Sequence, residues 1–133
     1  MRAGLLAAIL LVTGCAGSYQ AQPLTQKQTV RLEKELAGKV AGEPTACINR
    51  LPQSDLRVIS DSVLLYRVSS RLIYRNDVIG RCTGLQRGDT LITQSYSSQI
   101  CRGDIARVAD LSVGTVTGSC ALGDFIPYRT PSK

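Results

Sequence analysis

The chain has 133 residues, a formal charge of +6 and no histidine. That length suits one small domain. The missing histidine removes every His-based metal site and every Ser-His or Cys-His nucleophile pair, and a core with one Phe and no Trp must rely on Leu, Ile and Val, lean enough to need covalent support.

The first residues read as an address. Met1 to Gly4 carries Arg2, and Leu5 to Val12 is an apolar run too short to span a bilayer. Small residues follow at Thr13, Gly14, Cys15 and Ala16. Residues 1–14 are therefore expected to be a secretory signal peptide. Val12-Thr13-Gly14-Cys15 also resembles the lipobox of bacterial lipoproteins, where cleavage falls before the cysteine and the cysteine is acylated. The alternative is ordinary cleavage after Ala16. Parity favours the lipid: five cysteines are odd for a secreted chain, and assigning Cys15 to lipid leaves four. By resemblance to lipoproteins that lack Asp after the lipidated cysteine, Ala16 points to the outer membrane, with the domain facing the periplasm.

Gly17 to Pro23 is polar and lacks apolar periodicity, so residues 15–24 read as a lipid-anchored tether, and residues 25–129 as a single disulfide-stapled domain. Thr25-Gln26-Lys27-Gln28 fits a capping box. Leu32, Leu36 and Val40 recur every four residues, and Glu35 and Lys39 are spaced as an i,i+4 pair. A helix is expected over about 26–37, docked through its Leu face, with Gly38, Gly42 and Pro44 ending it. The β part spans about 46–129. Strands are expected over 46–49, 56–59, 63–67, 71–75, 90–96, 105–109, 115–117 and 125–128. Leu51 to Ser54 reads as a turn, Val68 to Ser70 as the hairpin connection between 63–67 and 71–75, and Asn76-Asp77 as the close of that hairpin. Gly-Asp recurs at 88–89, 103–104 and 123–124, each time just before a strand run, as a turn that opens a strand. The expected fold is mainly β: a small antiparallel meander or partly closed barrel with one N-terminal helix and two disulfides.

Cys47, Cys82, Cys101 and Cys120 lie 35, 19 and 19 residues apart, with no C-x-x-C. Neither a zinc knuckle nor a thioredoxin-like pair is indicated, and two structural disulfides are expected in an oxidising compartment. Three pairings are open. Folding 105–110 back on 115–120 brings Cys120 near Ile105, with Cys101 a turn away, which favours Cys101–Cys120 and leaves Cys47–Cys82.

Ala41-Gly42-Glu43-Pro44 leading into Ala46-Cys47-Ile48, Ile73 to Asn76, Arg81-Cys82, Gln99 to Ala106 and Cys120 to Tyr128 together resemble a family of small, secreted proteobacterial proteins of unknown function, of the sphingomonad type. The likeness covers roughly residues 36–129. It implies an envelope protein with two disulfides and brings no activity or catalytic residue.

Between Arg50 and Arg107 stand nine Arg, no Lys and five Asp. Arg67, Arg71 and Arg75, with Arg50 and Arg57, are read as a basic patch for an anionic partner, because guanidinium forks suit phosphate and carboxylate. The other reading is a solvated strand face paired with residues such as Asp61 and Asp77. Arg102-Gly103-Asp104 matches an adhesion tripeptide but reads better as a turn beside Cys101. No S-x-x-K, G-x-S-x-G, paired carboxylates or phosphate-binding Gly-rich loop occurs. The expected function is thus a non-enzymatic cell-envelope lipoprotein, a small periplasm-facing binding or structural module. The alternative is an inhibitor or accessory protein of a periplasmic enzyme; a basic partner enzyme would be repelled. Partners are the membrane, through the N-terminal lipid, and an anionic envelope component or envelope protein. No cofactor, metal or nucleic acid is expected, and the oligomeric state is left open.

Overall fold

The computed structural model describes residues 22–52 and 55–133. The signal peptide, Cys15 and the tether up to residue 21 lie outside the described residues, as do Gln53 and Ser54 of the expected turn.

Helix α1 runs over Gln26–Leu36. It starts at the expected capping box. The Gln28 N–H donates to the Thr25 hydroxyl at 3.3 Å, and the Thr25 N–H donates to the Gln28 side-chain carbonyl at 2.9 Å. Leu32 and Leu36, with Leu24 ahead of the helix, pack on Ile59, Val63, Leu65 and Ile73. The helix stops one residue short of the expected end. Gly38 adopts a φ of +71°, and the Lys39 N–H turns back to the Leu36 carbonyl. Lys39 therefore lies beyond the helix and cannot pair with Glu35 along it. Val40 is exposed and begins the first strand rather than extending the Leu face.

Eleven strands follow among the described residues: β1 Val40–Ala41, β2 Cys47–Asn49, β3 Leu56–Val58, β4 Val63–Ser69, β5 Leu72–Asp77, β6 Ile79–Arg81, β7 Thr90–Thr93, β8 Gln99–Cys101, β9 Ile105–Asp110, β10 Thr115–Ala121 and β11 Phe125–Arg129. The strands in the order β1-β11-β5-β4-β3 make one sheet, β6-β10-β9-β7 a second, and β2-β8 a third, with every pairing antiparallel. The β4–β5 hairpin forms as expected. Its ladder runs past a bulge at Val68 to Ser69, so the turn tightens to Ser70-Arg71.

Side chains alternate along a strand. In the five-stranded sheet Val63, Leu65 and Ile73 therefore turn to α1, while Leu64, Tyr66 and Phe125 turn to the second sheet. There they meet Leu91, Ala106, Val108 and Cys120, and Ile48 and Ile100 of β2–β8 close one side. The five-stranded sheet is thus the middle layer between helix and second sheet. The sheets are not closed into a barrel. β3 and β7, of three and four residues, are the facing edges, and no ladder joins them. The chain crosses between sheets at corners instead, from β5 to β6 through Val78 and from β10 to β11 through Leu122-Gly123-Asp124.

Asn76 and Asp77 do not close the hairpin; both belong to β5. Asn76 is fully buried. Its side-chain NH2 donates to the carbonyls of Gly123 (2.8 Å) and Asp124 (3.3 Å), and its carbonyl accepts the Gly123 N–H at 3.0 Å. One amide thereby holds the β10–β11 corner against β5. Each Gly-Asp pair does open a strand, at β7, β9 and β11. Asp104 accepts the Cys101 N–H at 2.8 Å, so Arg102-Gly103-Asp104 is a turn.

The disulfides are Cys47–Cys101 and Cys82–Cys120, which corrects the favoured Cys47–Cys82 and Cys101–Cys120. The β9–β10 hairpin forms, but it sets Cys120 between Ala106 on β9 and Gly80 on β6. Cys82 directly follows β6, and the two Cα atoms lie 5.0 Å apart. Cys101 ends β8, whose partner β2 places Cys47 directly opposite, with Cα atoms 4.0 Å apart. β6 and β8 have three residues each, too few for alternation to show in the sequence, and without them the pairing is misdirected.

Candidate binding surfaces

The five arginines expected to form a patch do not act together. Arg67 and Arg75 share the helix-side face of β4 and β5, since Arg67 is opposite Ile73 and Arg75 opposite Leu65. Arg75, however, is paired with Asp77 at 3.0 Å. Arg57 stands opposite Leu65 on β3, half-buried, and donates to the Leu56 carbonyl. Arg50 follows β2 and lines a cavity with Leu56 and Tyr66, off the helix-side face, where it donates to the carbonyls of Ser95 (3.0 Å) and Ser97 (3.4 Å). Arg71 sits in the hairpin turn rather than on a strand face.

What remains is a cationic rim at the turn end of the middle sheet. Arg67 approaches from the helix side. Arg71 occupies the turn, and its carbonyl accepts the Thr130 N–H at 3.0 Å. Arg129 is the rim residue that sequence reasoning missed. It is opposite Leu72 on β5 and opposite Val40 on β1, which brings Lys39 beside it. The only signal for Arg129 was its place at the end of the last strand run. Arg67, Arg71 and Arg129 are exposed, and among the described residues none of their guanidinium groups has an ion-pair partner. Exposed Val68 and Val40 stand among them.

The outer face of the second sheet is also open. Its cross-strand rows are Ile79–Ala121–Ile105, Arg81–Ser119–Arg107–Ile92 and Val116–Ala109–Thr90. Ile79, Ile92, Ile105 and Val116 are 54, 44, 47 and 57% exposed, on a face where burial would ordinarily be sought. No ladder position on this face is acidic. At the β6 edge, Arg81 meets Asp61 at 3.4 Å and donates to the Gln22 side-chain carbonyl at 2.7 Å.

A cavity of about 120 Å³ lies between the β3 and β7 edges, lined by Leu51, Pro52, Leu56, Tyr66, Leu91 and Ile100 among others. Tyr66 is buried against Phe125, and its hydroxyl is the buried side-chain polar atom without a hydrogen-bond partner among the described residues. Burial pushes its phenol up, so it stays protonated. The space is large enough for ordered water to reach it.

Among the described residues no cluster of three or more His, Cys, Asp or Glu could hold a metal ion, and no helix is long and apolar enough to cross a membrane. No family model, curated protein or solved structure matches this chain.

Proposed function

We propose that the protein is a non-enzymatic lipoprotein of the bacterial envelope, anchored through Cys15 and presenting a disulfide-stapled β domain to the periplasm. The lipobox at Val12 to Cys15 supports the anchor, and the likeness of the cysteine-flanking stretches to small secreted proteobacterial proteins agrees with it. In this reading the cationic rim is the working surface, and its partner is a carboxylate-rich polymer of the cell wall. The observation that carries this choice is where the tether joins the domain. Gln22 docks on Arg81, and Leu24 packs beside Val63, at the start of β4. The rim lies at the other end of β4, about 20 Å away along the strand. It is thereby held off the anchor point, where a polymer in the periplasm can reach it. Arginine forks engage carboxylates in pairs, and a tethered module needs only weak contacts because its local concentration is high.

Two measurements test this. Intact mass of the protein extracted from the envelope is expected to show a diacylglyceryl and acyl addition at Cys15 and loss of residues 1–14; an unmodified N-terminus at Gly17 overturns the anchor. Wild type is expected to sediment with purified cell-wall sacculi at low salt and to be released at high salt. The Arg67→Gln/Arg71→Gln/Arg129→Gln variant is expected to lose most of that binding. Equal sedimentation of both proteins, or of neither, removes the rim as the working surface.

A further inference from the structure

We infer that the outer face of the β6-β10-β9-β7 sheet lies flat on the leaflet that holds the anchor, so that the domain is oriented on the membrane rather than merely leashed to it. This rests on the lipoprotein reading above.

The tether sets the geometry. Gln22 comes seven positions after Cys15, a reach of at most about 25 Å. Gln22 is held against Arg81, which belongs to β6, the edge of this very sheet. A four-stranded sheet is about 15 Å wide between its outermost strands. Every part of the face is therefore within reach of the leaflet once Cys15 is inserted. The opposite side of the fold is covered by α1, so this sheet face is the broad uncovered one near the anchor.

The chemistry of the face matches an anionic leaflet. Ile79, Ile105, Ile92 and Val116 offer β-branched apolar side chains at the depth of the acyl boundary. Leu111 and Val113, also exposed, extend this surface at the tip of the β9–β10 hairpin. Arg107 stands between the isoleucines with no ion-pair partner among the described residues, and Arg81 stands at the edge. Long cationic side chains can lay their stems along an apolar surface and keep the head at the phosphates. Cations near an anionic surface add attraction that falls off within a Debye length. A soluble partner would have to cover the same aliphatic rows while carrying complementary acids, and the short tether brings the leaflet to the face first.

The absence of tryptophan makes the test clean. Ile105→Trp places a single reporter on the face, and Val30→Trp places one on the exposed side of α1. Both lipidated proteins are reconstituted on vesicles of phosphatidylglycerol and phosphatidylcholine, with and without brominated acyl chains. Flotation with the vesicles reports the anchor, and its loss overturns the lipoprotein reading itself. Among floating samples, the 105 reporter is expected to shift to the blue and to be quenched by brominated chains, while the 30 reporter is not. Ile79→Asp in the Ile105→Trp background is expected to float equally and lose the quenching. Quenching at 105 is expected to fall on phosphatidylcholine alone or at high salt. If reporter 105 floats without quenching, or if 105 and 30 are quenched alike, the face does not dock.

Discussion

Removing the inner disulfide is expected to cost more than removing the outer one. The double variant Cys82→Ala/Cys120→Ala should melt on the order of 15 °C below wild type, or fail to fold at 37 °C, in a calorimetric or circular-dichroism melt. The loop closed by this bond spans 38 residues, and loop-closure entropy alone assigns it about 4 kcal/mol, a large part of the margin of a small domain. Cys82 is fully buried and Cys120 nearly so, both in the main core, so the substitution also removes packed sulfur from a core with one Phe and no Trp. Cys47 and Cys101 are only half-buried on the two-stranded sheet. Their loss forfeits a similar loop entropy without the cavity, and Cys47→Ala/Cys101→Ala should melt above the inner double variant. The reverse order would mean that β2–β8 carries the fold.

Asn76→Asp is expected to be the most damaging single isosteric change. The wild-type amide donates to two carbonyls and accepts one N–H in a fully buried position. A carboxylate can keep the Gly123 N–H but cannot donate, so two carbonyls lose their partner and a negative charge is left in an apolar setting. Each unsatisfied buried group costs about 1–3 kcal/mol and a buried unpaired charge more, together about 4 kcal/mol. The corner cannot relax to accommodate this. A Cβ at Gly123 would overlap the Asp77 carbonyl, so the two backbones already touch. The sign with pH follows from burial. The introduced carboxyl titrates higher when folded than its unfolded value of about 3.9. The stability it allows is present below that value and is lost as pH rises through the folded pKa. The melting-temperature gap to wild type should be wide at pH 7 and narrower at pH 4. A gap that widens on acidification would show that the side chain is not buried as described.

The parts of the fold that were legible in the sequence are those with enough residues to show a period or a cap. Thr25 and Gln28 announce the helix start, and the runs at 63–67, 105–109 and 125–128 lie within strands, while 71–75 overlaps β5 from Leu72 on. The two- and three-residue strands β1, β6 and β8 were not legible, because their partners, not their own patterns, make them strands. One signal for the outer disulfide was present and unused. Read backwards, Gln99-Ile100-Cys101 is Cys-Ile-Gln, which mirrors Cys47-Ile48-Asn49, as an antiparallel register of Cys on Cys requires. The arginine face was half legible. Alternation put Arg67 and Arg75 on one side, but it could not show that Asp77, on the same strand, takes up Arg75, or that the last strand would deliver Arg129 to the turn. Asn76 read as a turn residue because asparagine usually is one; its burial follows from the distant Gly123 corner, which no local window contains.

The interleaved order of the disulfides has a consequence for how the domain responds to a protease. Cys47 joins Cys101 while Cys82, inside that span, joins Cys120 outside it. The two covalent loops overlap, and together they cover the chain from 47 to 120 without a break. A protease that cuts once anywhere in that interval frees no fragment, because at least one crosslink still bridges the cut ends. A sequential pairing behaves differently: Cys47–Cys82 with Cys101–Cys120 would leave residues 83–100 unbridged, and a single cut there would part the domain in two. A nicked molecule of this protein keeps its halves joined, and it comes apart only after reduction.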